Sequence, residues 1–313
     1  MCGTTSVGNV VVGGVRRFAG VVAVLGALGL VLAGCSGGPA RPGEAAAPAD
    51  GCGAPTSAAA LACRLRAGDA VVHDPAATPT ALADAGRRTQ DAYRRLGDHP
   101  EWDAAVLTAV GPVLGAQAQH AVAAYRALIS LDGRPSTTLP AWKVVDPIPA
   151  DVLRGYYDEA QRRFGVSWTV LAAVNLVETR MGRVVGLSTA GAQGPMQFMP
   201  PTWAAYGLGG DVWNPRDAIL GAAHYLAANG GADPARLDRA LRRYNNDVRY
   251  VSAVRDYAAM MAADPRAFIG LHAWPVEYRT VAGDIPLDPG YASTTRVPVA
   301  EWLASHPEVP GAR

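Results

Sequence analysis

Lysine is almost missing from this chain: Lys143 is the only one, and arginine supplies the other basic residues. The 28 basic and 27 acidic side chains nearly cancel, leaving a formal charge of +1. No basic field of the kind that drives nucleic-acid binding is present, so a nucleic-acid partner is not expected. Cysteines number four and histidines six. His73, His99, His120, His224, His272 and His306 lack the spacing of a ligand set, so no metal and no cofactor is expected. No internal repeat is visible. The one long apolar run, Phe18–Leu32, falls short of the roughly 20 residues that span a bilayer.

That run has a different meaning in context. Arg16 and Arg17 precede it, and Leu32-Ala33-Gly34-Cys35 follows it. A charged start, an apolar stretch and a small-residue cleavage site make a signal peptide over residues 1–34. The cysteine directly after Leu-Ala-Gly resembles the lipidation site of a bacterial lipoprotein. Cleavage before Cys35 and lipid on its sulfur are the favoured reading, with an uncleaved anchor as the alternative. Residues 35–55 are mostly Gly, Ala and Pro, which reads as a flexible tether. With Cys35 lipidated and Cys2 removed, Cys52 and Cys63 are the remaining pair. Export places them in a disulfide-permissive compartment. Two free buried thiols are the alternative.

Residues 56–135 read as a helical region. It is rich in alanine, and Tyr93, Leu96, Trp102, Val106, Val110 and Val113 recur at about helical steps. Val122, Tyr125, Leu128 and Ile129 extend the pattern. Nothing there has the make-up of a catalytic site, and packing support is the expected role. Pro135 and Pro140 mark a linker over 136–150. Further helices are expected at Asp217–Asn229, Arg236–Asn245 and Tyr250–Met261. Residues 273–313 read as a proline-rich tail that wraps the domain or stays mobile.

The chemistry concentrates between Trp168 and Trp203. Ser167 suits a helix N-cap, the run to Met181 has no Pro or Gly, and Gly182 suits a C-cap. Leu171, Val174, Asn175, Glu178 and Met181 share one helical stripe. Glu178 is the only acid in the segment. On an apolar face its charged form is disfavoured, which keeps it protonated to higher pH. Two readings stay open for it: a catalytic acid, or a structural glutamate paired to Arg180 or Arg183. After the helix, Gly191 and Gly194 permit tight turns, while Pro195, Pro200 and Pro201 stiffen the path. Met196, Phe198 and Met199 offer apolar surface, and Gln193 and Gln197 offer amides. That mixture suits a sugar, and equally a loop that connects helices.

The ordered blocks E-T-R-M-G, G-A-Q-G-P-M-Q-F-M-P-P-T-W, W-N-P-R-D-A-I-L-G-A-A-H-Y-L and R-Y-N-N-D resemble the catalytic domain of soluble-type (SLT) lytic transglycosylases. The resemblance covers residues 151–272. It implies an all-α, lysozyme-like helical catalytic domain, here preceded by the small helical region. It also implies cleavage of the MurNAc–GlcNAc bond of peptidoglycan glycan strands with no second enzymic carboxylate. Glu178 matches the family's glutamate, implied as general acid and then general base. Thr179 stands where the family has serine, and Pro195 where it has leucine. Ser188, Gln193, Gln197, Met199 and Asn245 are the implied saccharide contacts. Tyr244 is the implied partner of Glu178. The family's Ala-Gly ending after Asn245 is absent. Two alternatives remain beside the transglycosylase: a hydrolase of the same fold that uses water, and a non-catalytic wall-binding lipoprotein.

Overall fold

A computed structural model describes residues 51–307 and 309. The signal peptide, most of the tether and Cys35 lie outside the described residues. The chain is mostly helical. Four helices come first: α1 (Ala58–His73), α2 (Pro79–Asp98), α3 (Asp103–Val110) and α4 (Pro112–Asp132). Their boundaries follow local chemistry. The Ser57 side chain accepts from the Ala60 amide at the start of α1, and Thr78 does the same for Ala81 at the start of α2. Proline opens both α2 and α4, where its missing N–H is no loss.

Two short strands follow, β1 (Thr138–Leu139) and β2 (Lys143–Val144), and then α5 (Ala150–Phe164) and α6 (Trp168–Thr179). After β3 (Val184–Val185) come α7 (Pro200–Tyr206), α8 (Pro215–Ala228), α9 (Leu237–Tyr244), α10 (Val248–Ala263) and α11 (Ala267–His272). The expected helices are all present within a few residues of the expected limits. The chain ends with β4 (Val276–Thr280), β5 (Gly283–Leu287), β6 (Val297–Pro298) and α12 (Val299–Ser305). Among the described residues no helix is long and apolar enough to cross a membrane.

α6 sits at the centre. Every residue from Thr169 to Thr179 is buried, so its surroundings are protein on all sides. α10 packs against both α6 and α4. The N-terminal helices therefore share one continuous core with α6 and α10: Leu61, Leu65, Tyr93, Leu96 and Val122 join Leu171, Val174, Tyr257 and Met261.

The tail differs from the expectation of a wrapping or mobile segment. β4 and β5 form an antiparallel hairpin, Val276 opposite Leu287 and Tyr278 opposite Ile285. Val276, Tyr278 and Thr280 alternate inward, which is the strand period. Gly283, with φ 96°, turns the hairpin back. With β1 paired to β6 and β2 paired to β3, the hairpin builds a second small core around Leu139, Val144, Val184, Tyr278 and Ile285. Prolines lie within or between these short strands and do not prevent them.

Two side-chain groupings are set by the fold. Cys52 and Cys63 are joined in a disulfide with a Cα–Cα distance of 5.6 Å, tying the chain ahead of α1 to its second turn. Asp69, His73 and Asp264 also converge, a cluster that histidine spacing alone did not reveal. They already engage one another: His73 Nδ1 donates to the Asp69 carbonyl at 2.9 Å, and its Nε2 lies 3.1 Å from Asp264.

Replacing both Cys52 and Cys63 by serine should lower unfolding free energy by about 3 kcal/mol at most, the chain-entropy value for so short a loop. Denaturant melts of the two proteins, with and without reductant, measure it. Equal stability, or no effect of reductant on the parent, contradicts the disulfide's contribution.

Candidate active site

The site is built where α6 ends. Ser167 caps its start, accepting from the Thr169 amide. Its end comes three residues before Gly182, the stop expected from sequence. Arg180 and Met181 both have positive φ, 54° and 57°, and Gly182 follows at 86°. The Met181 amide donates to the Asn175 carbonyl, and the Arg180 amide to Leu176, a paired closure of the last turn. Thr179 contributes as well, since its hydroxyl oxygen accepts from the Gly182 amide at 3.1 Å.

The glycine-rich segment is fastened to this helix through one carbonyl. Asn175 Nδ2 and Thr179 Oγ1 both donate to the Pro195 carbonyl, at 2.8 and 2.6 Å. Asn175 is itself oriented by the Tyr157 hydroxyl, which donates to its Oδ1 at 2.8 Å. Gln193 and Phe198 exchange backbone hydrogen bonds of 2.8 Å, closing 193–198 into a tight loop. Gly194 lies at φ 71°, and a Cβ there would run into the Val212 carbonyl. Only glycine serves at that position.

Glu178 sits in the last turn of α6 and is 3% exposed. Among the described residues its one side-chain hydrogen bond comes from the Tyr250 hydroxyl, donated to Oε1 at 2.7 Å. Burial pushes its carboxyl up to about 8, and the Tyr250 bond opposes that only in part. No nearby carboxylate or arginine contributes to the shift. At neutral pH the group is therefore a neutral acid. The structural pairing with arginine does not occur: Arg183 donates to the His272 carbonyl, and Arg180 lies by the Trp274 ring.

The other expected residues divide. Tyr244 is buried beside this group, near enough that the Glu178 charge helps hold its phenol well above the usual range, after burial itself. Its hydroxyl, however, donates to the Met196 carbonyl at 2.6 Å rather than to Glu178. Tyr244 thus anchors the 193–198 loop, and Tyr250 holds the glutamate. Gln197 is 2% exposed with φ 52°, and its Nε2 donates to the Gly194 carbonyl at 2.8 Å. Its Oε1 is buried without a partner. That oxygen is an acceptor waiting for a donor. Ser188 accepts from the Ala190 and Ala192 amides, so its hydroxyl shapes the turn. Met199 is the residue that precedes α7, and Asn245 closes α9. Gln193 contributes backbone bonds to the loop.

The more distant acids are engaged elsewhere. Asp217 accepts from the Asp211 amide, Asp211 from the Trp213 amide, Asp238 pairs with Arg255, and Asp247 caps α10 and pairs with Arg249.

Residues 155–259 match the family model described as Transglycosylase SLT domain. This segment is of the SLT transglycosylase type. It holds Glu178, the 193–198 loop, Tyr244 and Tyr250. The chain is also 34% identical over 122 residues to a membrane-bound lytic murein transglycosylase F of Thiobacillus denitrificans. That alignment takes in 37% of this chain and only 26% of the relative's length. No solved structure matches significantly.

Glu178 binds a proton in the folded chain up to about 8, whereas an unperturbed glutamate releases it near 4.5. Between those values the folded state holds one more proton than the unfolded, so stability falls as pH rises, by up to about 1.4 kcal/mol per pH unit. Glu178→Gln should lack this slope and be the more stable protein above about 8. Denaturation midpoints on either side of the window read it directly. Parallel pH profiles for the two proteins would mean that Glu178 is not held protonated.

Tyr250→Phe removes the one bond that favours the charged carboxylate. The Glu178 titration should then move to still higher pH, observable by carbon NMR of the labelled carboxyl. An unchanged or lowered midpoint contradicts the role given to Tyr250.

Proposed function

We propose that this protein is a peptidoglycan lytic transglycosylase that cleaves the MurNAc–GlcNAc β-1,4 bond and leaves 1,6-anhydroMurNAc ends. The observation that carries the reading is Glu178: a buried acid, protonated at neutral pH, with a tyrosine as its one hydrogen-bond partner. Glycosidases of the ordinary kind divide the work between two carboxylates. Here a single acid does both proton transfers in turn.

Glu178 gives its proton to the glycosidic oxygen as the bond to the MurNAc anomeric carbon breaks. The sugar's own N-acetyl oxygen stabilises the positive charge that develops on that carbon. Glu178, now a carboxylate, is strongly disfavoured in its apolar surroundings. It recovers a proton from the sugar's C6 hydroxyl, whose oxygen closes onto the anomeric carbon. The nucleophile belongs to the same molecule, so its effective concentration far exceeds that of an external group. Tyr250 holds the carboxyl through both steps. Tyr244, through the Met196 carbonyl, holds the loop that presents Gln197. The free Oε1 of Gln197 accepts a hydroxyl or amide proton of the glycan.

The proposal includes a lipid on Cys35 that tethers the enzyme to the membrane facing the cell wall. It is supported by the lipoprotein-like sequence around that cysteine and by a relative whose name describes it as membrane-bound.

Digestion of purified peptidoglycan followed by mass spectrometry tests the reaction. Anhydro ends, one water lighter than hydrated ends, are expected from the parent, and no release from folded Glu178→Gln. Hydrated ends would assign the hydrolase reading instead. Release by Glu178→Gln at the parental rate would remove the glutamate from the mechanism.

A further inference from the structure

Leu176 precedes Glu178 by two positions within α6, about 200° around the helix axis, so the two point to nearly opposite sides, and Arg180 follows just past the helix end. On that rear face Leu176, Val177 and Arg180 line a partly open cavity of about 40 Å³. Its other walls come from α2, α4, α10 and Trp274, with Tyr93, Tyr125 and Tyr257 supplying an aromatic lining.

Two polar groups in this lining lack partners. Gln90 is 3% exposed, and its Oε1 has no hydrogen bond. Arg180 has a buried Nε with no acceptor among the described residues. It lies 5.9 Å from the centre of the Trp274 ring. The other charges nearby leave it so. Arg94 is paired with Asp284, and Glu277 acts on both arginines through space without bonding to Arg180. A buried donor and a buried acceptor left unmade are costly, and natural proteins rarely keep both in one place without use. Arg180 also holds a left-handed backbone at φ 54°.

We propose that this cavity binds the C-terminal end of a peptide. The α-carboxylate pairs with the Arg180 guanidinium, the adjacent amide N–H donates to Gln90 Oε1, and the apolar part lies against the tyrosines and Trp274. The complement of groups selects this class. A simple anion would pair with Arg180 but leave Gln90 Oε1 empty. Water would satisfy Gln90 but bring no charge to Arg180. A peptide C-terminus carries an acceptor pair and a donor within one residue. The inference does not rest on the reaction proposed for Glu178.

Calorimetric titration of the full chain with N-acetyl-L-alanine, N-acetyl-D-alanine and N-acetylalaninamide tests it. At least one acid is expected to bind at millimolar concentration, and the amide at least about tenfold more weakly, since it lacks the charge-assisted bonds. Arg180→Gln and Gln90→Glu, each checked for folding by circular dichroism, should lose the binding. In the parent, the Trp274 indole proton resonance, assigned with Trp274→Phe, should shift with the acid, which serves if either variant fails to fold. Failure of both acids to bind, equal binding of acid and amide, full binding by folded variants, or an unmoved Trp274 resonance overturns the proposal. The two enantiomers distinguish an ordinary protein terminus from one ending in a D-residue.

Discussion

A carboxyl group enclosed by apolar side chains, with one phenol bonded to it, is the constraint around which this molecule is arranged. Glu178 is only 3% exposed, on a helix buried along its whole length, and that burial is what raises its carboxyl. α10 covers one flank of α6 and brings Tyr250, and α4 backs α10 in turn. The N-terminal helices are thus part of what keeps the acid dry. They extend the core of the SLT segment, although the family match begins only at residue 155.

The Pro195 carbonyl has a comparable place on the polar side. Two donors from α6 meet on it, so the loop that carries Gln197 takes its position from the same helix that carries Glu178. Tyr244 fixes the next carbonyl of that loop, Met196. Glu178 and Gln197 are held in one frame with few freely rotating parts. Thr179, where the family has serine, uses its hydroxyl for one of the two bonds to the Pro195 carbonyl.

Much of this was legible in the sequence because it is local. Helix limits, the single acid and the loop glycines follow from neighbours along the chain, and the Cys52–Cys63 pair was what remained once Cys35 was read as lipidated. What was not legible depends on contacts made over long separations. Tyr250 lies 72 residues from Glu178, and only the packing of α10 on α6 joins them. Tyr244 was expected at the glutamate because it belongs to a recognisable block, yet its hydroxyl reaches Met196. The hairpin at Val276–Leu287 rests on two five-residue strands, too short for alternation to stand out among prolines. The Asp69–His73–Asp264 cluster likewise draws on α1 and the far end of α10, which no spacing rule connects.

The Cys52–Cys63 bond has a mechanical consequence. Any pull on the chain ahead of Cys52 reaches α1 through the sulfur bridge and enters at Cys63, in the middle of the helix's first half. The residues between the two cysteines lie on a bypassed loop and carry none of the load. The first turn of α1, capped only by Ser57, cannot be peeled off by tension from that side. Force passes instead to Leu65 and the core it shares with α6, beyond the bypassed first turn.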